Sequence, residues 1–484
     1  MLWIRSNRMK RTALCTAALA VVISAAVLPP VSLHALAQKQ AFTTSKGLKV
    51  KVLTDSTMDF VHAELLIFYK DKFKNPAIPT LTLINLFDKD VNRSGSSLMS
   101  TLKRLGNDYE VEQTPEYFIL KVNFLPDKLQ QFAHLVKGVY SYKPFMNIKI
   151  NPDSYTFRRR EQDTTEKFKD SVDNYWKRYY KKEDWAQDTA YQIAYSILFQ
   201  SDPLGNSLVT ASSLKNATLS QVRTFYQRAF RLPNSLLLVK GDFKPHLMRG
   251  CLSGEFSSFK KQIPEVPVDK EIQINNERKV VVYSIKNGES PVIYWFEAIE
   301  PLNDEQHISS LVLNNVLFGF PFGRIYRNPA ETGFSYNNLE IRSEITNHEK
   351  VSVICNTIEL RPRDIEQFIR IADREKKKLS IKKVERIEYL NTLSYFAGKI
   401  KVDSQFFDND INHEILVSSY SFKRTGLTDP NLQPTQLVSL EGLNEKIESP
   451  KNFDNSPRGT IVIVGDYDII RRYLKDIKPI VYNY

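Results

Sequence analysis

The chain has 484 residues, 42% hydrophobic, 25% charged and 11% aromatic, with three cysteines and 67 basic against 55 acidic side chains. These proportions exclude a collagen, a coiled coil, a disulfide-stapled miniprotein and a wholly disordered chain. At roughly 100 to 200 residues per domain, two to four domains are expected, each large enough to bury a core.

Residues 1–37 read as an export signal. Arg5, Arg8, Lys10 and Arg11 make a basic start, and a mostly apolar run of 16 residues follows from Ala13 to Leu28. That run is shorter than the roughly 20 residues of a comfortable membrane span. Ala35-Leu36-Ala37 supplies a small-x-small cleavage pattern. Cleavage predicts a chain with no stable membrane anchor, periplasmic in a host with two membranes and secreted in a host with one; an uncleaved N-terminal anchor is the alternative. The processed chain keeps 63 basic and 55 acidic residues, a net charge of +8.

Ser96 and Ser97 precede a short helix through Leu98, Leu102 and Leu105, which Gly106 closes as a C-cap. Tyr117 to Phe124 alternates, with Phe118, Leu120, Val122 and Phe124 on one face of a half-buried strand. Behind Pro126 and Asp127, Leu129, Phe132, Ala133, Val136 and Tyr140 recur at helical spacing. Three basic stretches, Arg158 to Arg160, Tyr175 to Lys182 and Lys376 to Lys378, read as solvated helix faces. An exported protein seldom meets nucleic acid, so no nucleic-acid partner is expected. Cys251 lies in a Gly/Ser-rich stretch and Cys355 in the strand-like run Val351 to Cys355, where it acts as a small hydrophobe. Their settings do not point to a disulfide, and no C-x-x-C exists to make a zinc knuckle or redox pair.

A weak duplication organises the chain. Leu236 to Val239 runs into Gly241-Asp242-Phe243 as Ile461 to Val464 runs into Gly465-Asp466-Tyr467, an offset of 224 residues. Phe118 to Val122 leads through Pro126 into a helix as Val351 to Cys355 leads through Pro362 into another, an offset of 236. Two copies of one domain follow, an N-terminal one at 46–250 and a C-terminal one at 276–484, joined by a Gly/Ser/Pro-containing linker at 251–275. The expected class is α+β: two homologous sandwiches, each a largely antiparallel sheet with helices packed on one face.

Several stretches in order resemble the pitrilysin/insulinase family of zinc metallopeptidases, in the size class of the mitochondrial processing peptidase subunits. They are Asn92-Arg93-Ser94, Leu102 to Gly106, Glu116-Tyr117, Leu125-Pro126, Asp202 to Gly205, Leu219 to Phe243, Gly323 to Tyr326 and Glu331 to Tyr336. The family's chemistry needs H-x-x-E-H on a helix, two histidines at i and i+4 holding zinc and a glutamate acting as base to the metal-bound water. Counting back from Asn92 puts Thr80, Leu83 and Ile84 at those positions, and none of them can do that work. No two histidines after residue 37 lie within four positions of each other. Glu161, with 76 residues between it and Ile84, falls where the family places its third ligand. It is read either as a vestigial ligand position or, beside three arginines, as a surface ion-pair partner.

The resemblance also implies an arginine and a tyrosine in the second domain that reach toward the substrate carbonyl. Tyr336 matches the tyrosine, with strand-edge capping as its other reading; Arg327 is the nearest arginine and Arg324 the next. Independent catalysis is not expected, and no cofactor is expected on this chain, zinc being carried by a partner. The implied function is an exported non-catalytic subunit that pairs with a zinc-bearing relative, or with itself, and helps a chamber hold extended peptides through strand addition. A stand-alone periplasmic peptide- or protein-binding scaffold is the alternative, and an active peptidase with an atypical site is the least favoured.

Overall fold

In the computed structural model the described residues are 38–69, 75–87, 97–106, 108–141, 185–200, 204–205, 208–262, 272–286, 290–301, 306–319, 321–327, 339, 341–348, 350–405, 438–448 and 457–483. They fall into two compact units, unit 1 within 1–71, 78–173 and 217–267, and unit 2 within 72–77, 174–216 and 268–484. Helices longer than five residues are, in chain order, α1 (Ala77–Phe87), α2 (Ser97–Leu105), α3 (Leu129–Ser141), α4 (Trp185–Phe199) and α5 (Leu219–Ala229). They continue with α6 (Pro245–Glu255), α7 (Gln306–Phe318), α8 (Ile365–Ile381), α9 (Arg386–Gln405) and α10 (Leu440–Glu448).

Unit 1 holds β1 (Gln38–Thr43), β2 (Lys49–Thr54), β3 (Val61–Phe68), β4 (Tyr109–Gln113), β5 (Tyr117–Phe124) and β6 (Ser235–Gly241) in the order β1-β2-β6-β3-β5-β4. Only the β2–β6 pair is parallel. The alternation read in β5 holds, since Phe118, Leu120, Val122 and Phe124 are all buried. Phe124 stacks on Phe132 of α3 at 4.6 Å, and Phe118 meets Phe225 of α5 edge-on at 6.0 Å, so these helices cover that face. Gly106 ends α2 with φ +122°, a conformation that a side chain would strain, which explains the predicted cap.

Unit 2 holds β7 (Lys279–Ser284), β8 (Val292–Ile299), β9 (Ile341–Asn347), β10 (Ser352–Glu359), β11 (Thr460–Gly465) and β12 (Ile480–Asn483) in the order β12-β7-β11-β8-β10-β9. Strands β7 to β11 repeat the neighbours of β2 to β6, with a parallel β7–β11 pair matching β2–β6 and antiparallel pairs elsewhere among them. The two-domain α+β architecture with mostly antiparallel sheets is therefore present, and the glycine pair Gly241 and Gly465 ends equivalent strands.

Helices on one face do not account for unit 2. Its β11, Thr460–Gly465, is buried throughout, as expected of a strand covered on both sides. Val312 and Leu313 of α7 and Phe368 and Ile369 of α8 pack with Ile293, Ile461 and Ile463. On the other face Ile193, Ala194 and Leu198 of α4 pack with Val281, Phe296, Val353 and Val462. Helix α4, from the first half of the chain, is thus part of unit 2, unlike the linear division at 250 and 276.

Two local readings also change. Residues 251–255, expected in the linker, are the last turns of α6, because Met248, Leu252 and Phe256 form a buried stripe that the glycines and serines do not interrupt. Lys376, read as solvated, is buried and paired with Glu297. Residues 1–37, Arg158 to Arg160 and Tyr175 to Lys182 lie outside the described residues.

Candidate functional site

Helix α1 places Thr80, Leu83 and Ile84 on one face, the i, i+3, i+4 arrangement that a metal-binding helix requires. The side chains present there make it a packing surface. Thr80 is 2% exposed, and Leu83 is buried among the apolar residues of α1, with Ile84 half-buried. Thr80 Oγ1 donates to Gln113 Oε1 on β4 at 3.1 Å. The remaining polar groups of the helix turn back on its own carbonyls, with Thr82 Oγ1 donating to Ile78 O at 2.8 Å and Asn85 Nδ2 to Leu81 O at 2.7 Å. Nothing on this face offers a lone-pair cluster to a cation or a base to a water molecule. Among the described residues no three His, Cys, Asp or Glu side chains converge as a metal site.

The Thr80–Gln113 bond sets α1 against the edge of the unit 1 sheet. Strand β4 pairs with β5 and, among the described residues, with no strand on its other side. The hairpin is held firmly at its turn. Thr114 Oγ1 accepts from the Glu116 and Tyr117 amides at 3.2 and 3.1 Å, and the Tyr69 hydroxyl donates to the Thr114 carbonyl. Glu112 on the strand pairs with Lys121 of β5 at 2.8 Å. Burial alone would push the Lys121 ammonium down, but the charges of Glu112 and Glu64 and the Glu112 hydrogen bond outweigh it and hold Lys121 above the usual lysine value.

Next to this ion pair lies a polar group that sequence reading did not single out. His62 Nδ1 is 2.6 Å from Asn123 Oδ1 and its Nε2 is 3.1 Å from Glu64 Oε1, while Asn123 Nδ2 donates to Asp108 Oδ2 at 2.9 Å. Glu64 is 1% exposed. The available signal was the alternation of β3, which puts His62 and Glu64 on one face beside Leu66.

Of the remaining candidates, Arg324 is the one whose side chain is described. Arg324 lies in unit 2, in a single helical turn, Arg324–Arg327. It is 8% exposed and donates through Nε and Nη2 to both carboxylate oxygens of Glu388 at 3.0 and 2.9 Å, and through Nη2 to the Lys383 carbonyl at 2.9 Å. A guanidinium so committed ties this turn to α9. Arg327 ends the same turn. Tyr336, Glu161 and the side chain of Arg327 lie outside the described residues.

Residues 216–385 match the family model described as the peptidase M16 inactive domain. The match spans about a third of the chain and marks a similarity to that domain. The fold agrees with the match. The M16 inactive domain from Pseudomonas fluorescens aligns over 92% of this chain and 100% of its own, at 14% identity and a TM-score of 0.66. The first half of the periplasmic protease PqqL from Escherichia coli aligns over 92% and 98%, at 13% identity and a TM-score of 0.64. The ferredoxin protease FusC, in complex with Arabidopsis ferredoxin, aligns over 92% of this chain and 51% of its own, at 12% identity and a TM-score of 0.62. At these identities the likeness concerns the fold. No curated protein sequence matches. No described helix is long and apolar enough to cross a membrane.

Proposed function

We propose that this chain is an M16-type, exported, non-catalytic subunit that carries no zinc, pairs with a zinc-bearing relative or a second copy, and holds extended peptides. The observation behind this reading is the chemistry of α1, where the positions that the resemblance matches to a metal motif are a threonine bonded to Gln113, a buried leucine and an isoleucine. A catalytic zinc needs three protein ligands and an open position, and these side chains supply no imidazole or carboxylate. The edge of β4 beside α1, which has no further strand among the described residues, supports peptide holding, because an added strand would bond to backbone groups with little regard for sequence. In unit 2, Arg327 and Tyr336 are the side chains that the resemblance offers for peptide contact. Export rests on the character of residues 1–37.

Affinity purification from the native host, followed by metal analysis of each separated subunit and a peptidase assay, tests the reading. The expected result is a complex in which zinc and activity stay with the other chain. Stoichiometric zinc and chelator-sensitive cleavage by the pure recombinant chain would overturn it.

A further inference from the structure

We propose that β9 is an interface through which two copies of this chain join, edge to edge, into one continuous antiparallel sheet. This edge lies in unit 2, so the inference does not depend on how α1 is read. Strand β9 pairs with β10 and, among the described residues, with no strand on its other side. Four consecutive residues, Arg342, Ser343, Glu344 and Ile345, are exposed, Ile345 at 38%. Natural edge strands are usually protected by a bulge, a proline or an unmatched charge. Here the residues instead match one another.

A second copy related by a two-fold axis perpendicular to the sheet must pair antiparallel, with one residue opposite itself at the axis. Centring on Ser343 puts Arg342 opposite Glu344 of the partner subunit, Glu344 opposite Arg342 of the partner subunit, and Ile341 and Ile345 opposite each other. Moving the centre by one residue sets Arg342 against Arg342 or Glu344 against Glu344. Cross-strand pairs of opposite charge stabilise a sheet and like charges directly opposed destabilise it, so the sequence selects one register. The faces agree with this. Glu344 lies on the α4 side, where its Oε2 accepts from the Tyr191 hydroxyl at 3.0 Å, and Arg342 shares that face by alternation. Ile341, Ser343 and Ile345 share the other face, where Ser343 meets Asn314 of α7. The occupant that fits a self-complementary edge is the same edge.

Sedimentation of the full chain over a concentration series tests this. The expected result is a monomer–dimer equilibrium in which Arg342→Glu weakens association about tenfold or more, by placing two carboxylate pairs across the axis. Combining Arg342→Glu with Glu344→Arg is expected to restore it. Melting curves check that each variant folds; should Arg342→Glu fail to, Ile345→Lys probes the opposite face of the strand and is expected to weaken the dimer as well. A chain that stays monomeric at every concentration, a dimer insensitive to these substitutions, or association only with a different chain overturns the proposal.

Discussion

Thr80 of α1 and Gln113 of β4 are joined side chain to side chain at 3.1 Å, a bond that holds the helix to the sheet edge. Replacing Thr80 by valine removes one hydrogen bond and is expected to cost about 1 kcal/mol. Leu83→Glu puts an unpaired carboxylate among buried apolar residues and is expected to cost about 3 kcal/mol or more. Urea unfolding of the two variants should separate them clearly; equal, small effects would mean that this face is solvated.

The Arg324–Glu388 pair has both partners buried, with side chains 7% and 5% exposed. Removing one partner strands the other charge, so Glu388→Ala is expected to lose about 3–5 kcal/mol, while a charge-free replacement of both is expected to recover much of it. Denaturant titration of the single and double variants gives the comparison. A loss below about 1 kcal/mol in Glu388→Ala would mean that this pair does not anchor Arg324 to α9.

Acid sensitivity should come partly from Glu300. Burial pushes its carboxyl up, but the Ser310 hydroxyl and the Lys446 ammonium outweigh that and hold it below its ordinary value of 4.5. A depressed folded value means the stabilisation is present above the unfolded pKa and lost as pH falls through the folded one. Lys446, 3% exposed, donates to Glu300, to the Gln306 carbonyl and to Ser310. Stability is therefore expected to fall below about pH 4.5, and less steeply in Glu300→Gln, as read from unfolding midpoints measured across pH. An unchanged slope in the variant would assign the effect to other carboxylates.

Cysteine reactivity should separate the two thiols, both of which are free. Burial, aided by the charge of Glu344, pushes Cys355 up to about 12 against hydrogen bonds from Tyr191 and Thr357. Its thiolate fraction at pH 8 is then about one in ten thousand. Iodoacetamide followed by peptide mapping is expected to label the half-buried Cys251 first, with Cys355 reacting only after denaturation. Prior labelling of Cys355 would mean that β10 opens in the native state.

Much of the architecture was legible because it is local. The alternation of Phe118 to Phe124, the stripe from Leu129 to Val136 and the cap at Gly106 are short-range patterns, and the repeated glycine and proline landmarks gave away the duplication. The spacing of the histidines was equally plain, since no two after residue 37 lie within four positions of each other. Partnerships across long separations were not legible. Glu388 lies 64 residues from Arg324, and Lys376 lies 79 from Glu297. The packing of α4 was hidden for the same reason, because its partners Val281, Val353 and Val462 lie far along the chain.

That packing sets a timetable for synthesis. Helix α4 ends at Phe199, whereas β11, the strand at the middle of the surface it covers, ends at Gly465. At 5 to 20 residues per second a ribosome needs roughly ten seconds to a minute to span that interval. Throughout it the nascent chain carries a greasy helix whose berth has not yet been made, a window in which holdase chaperones would find their substrate.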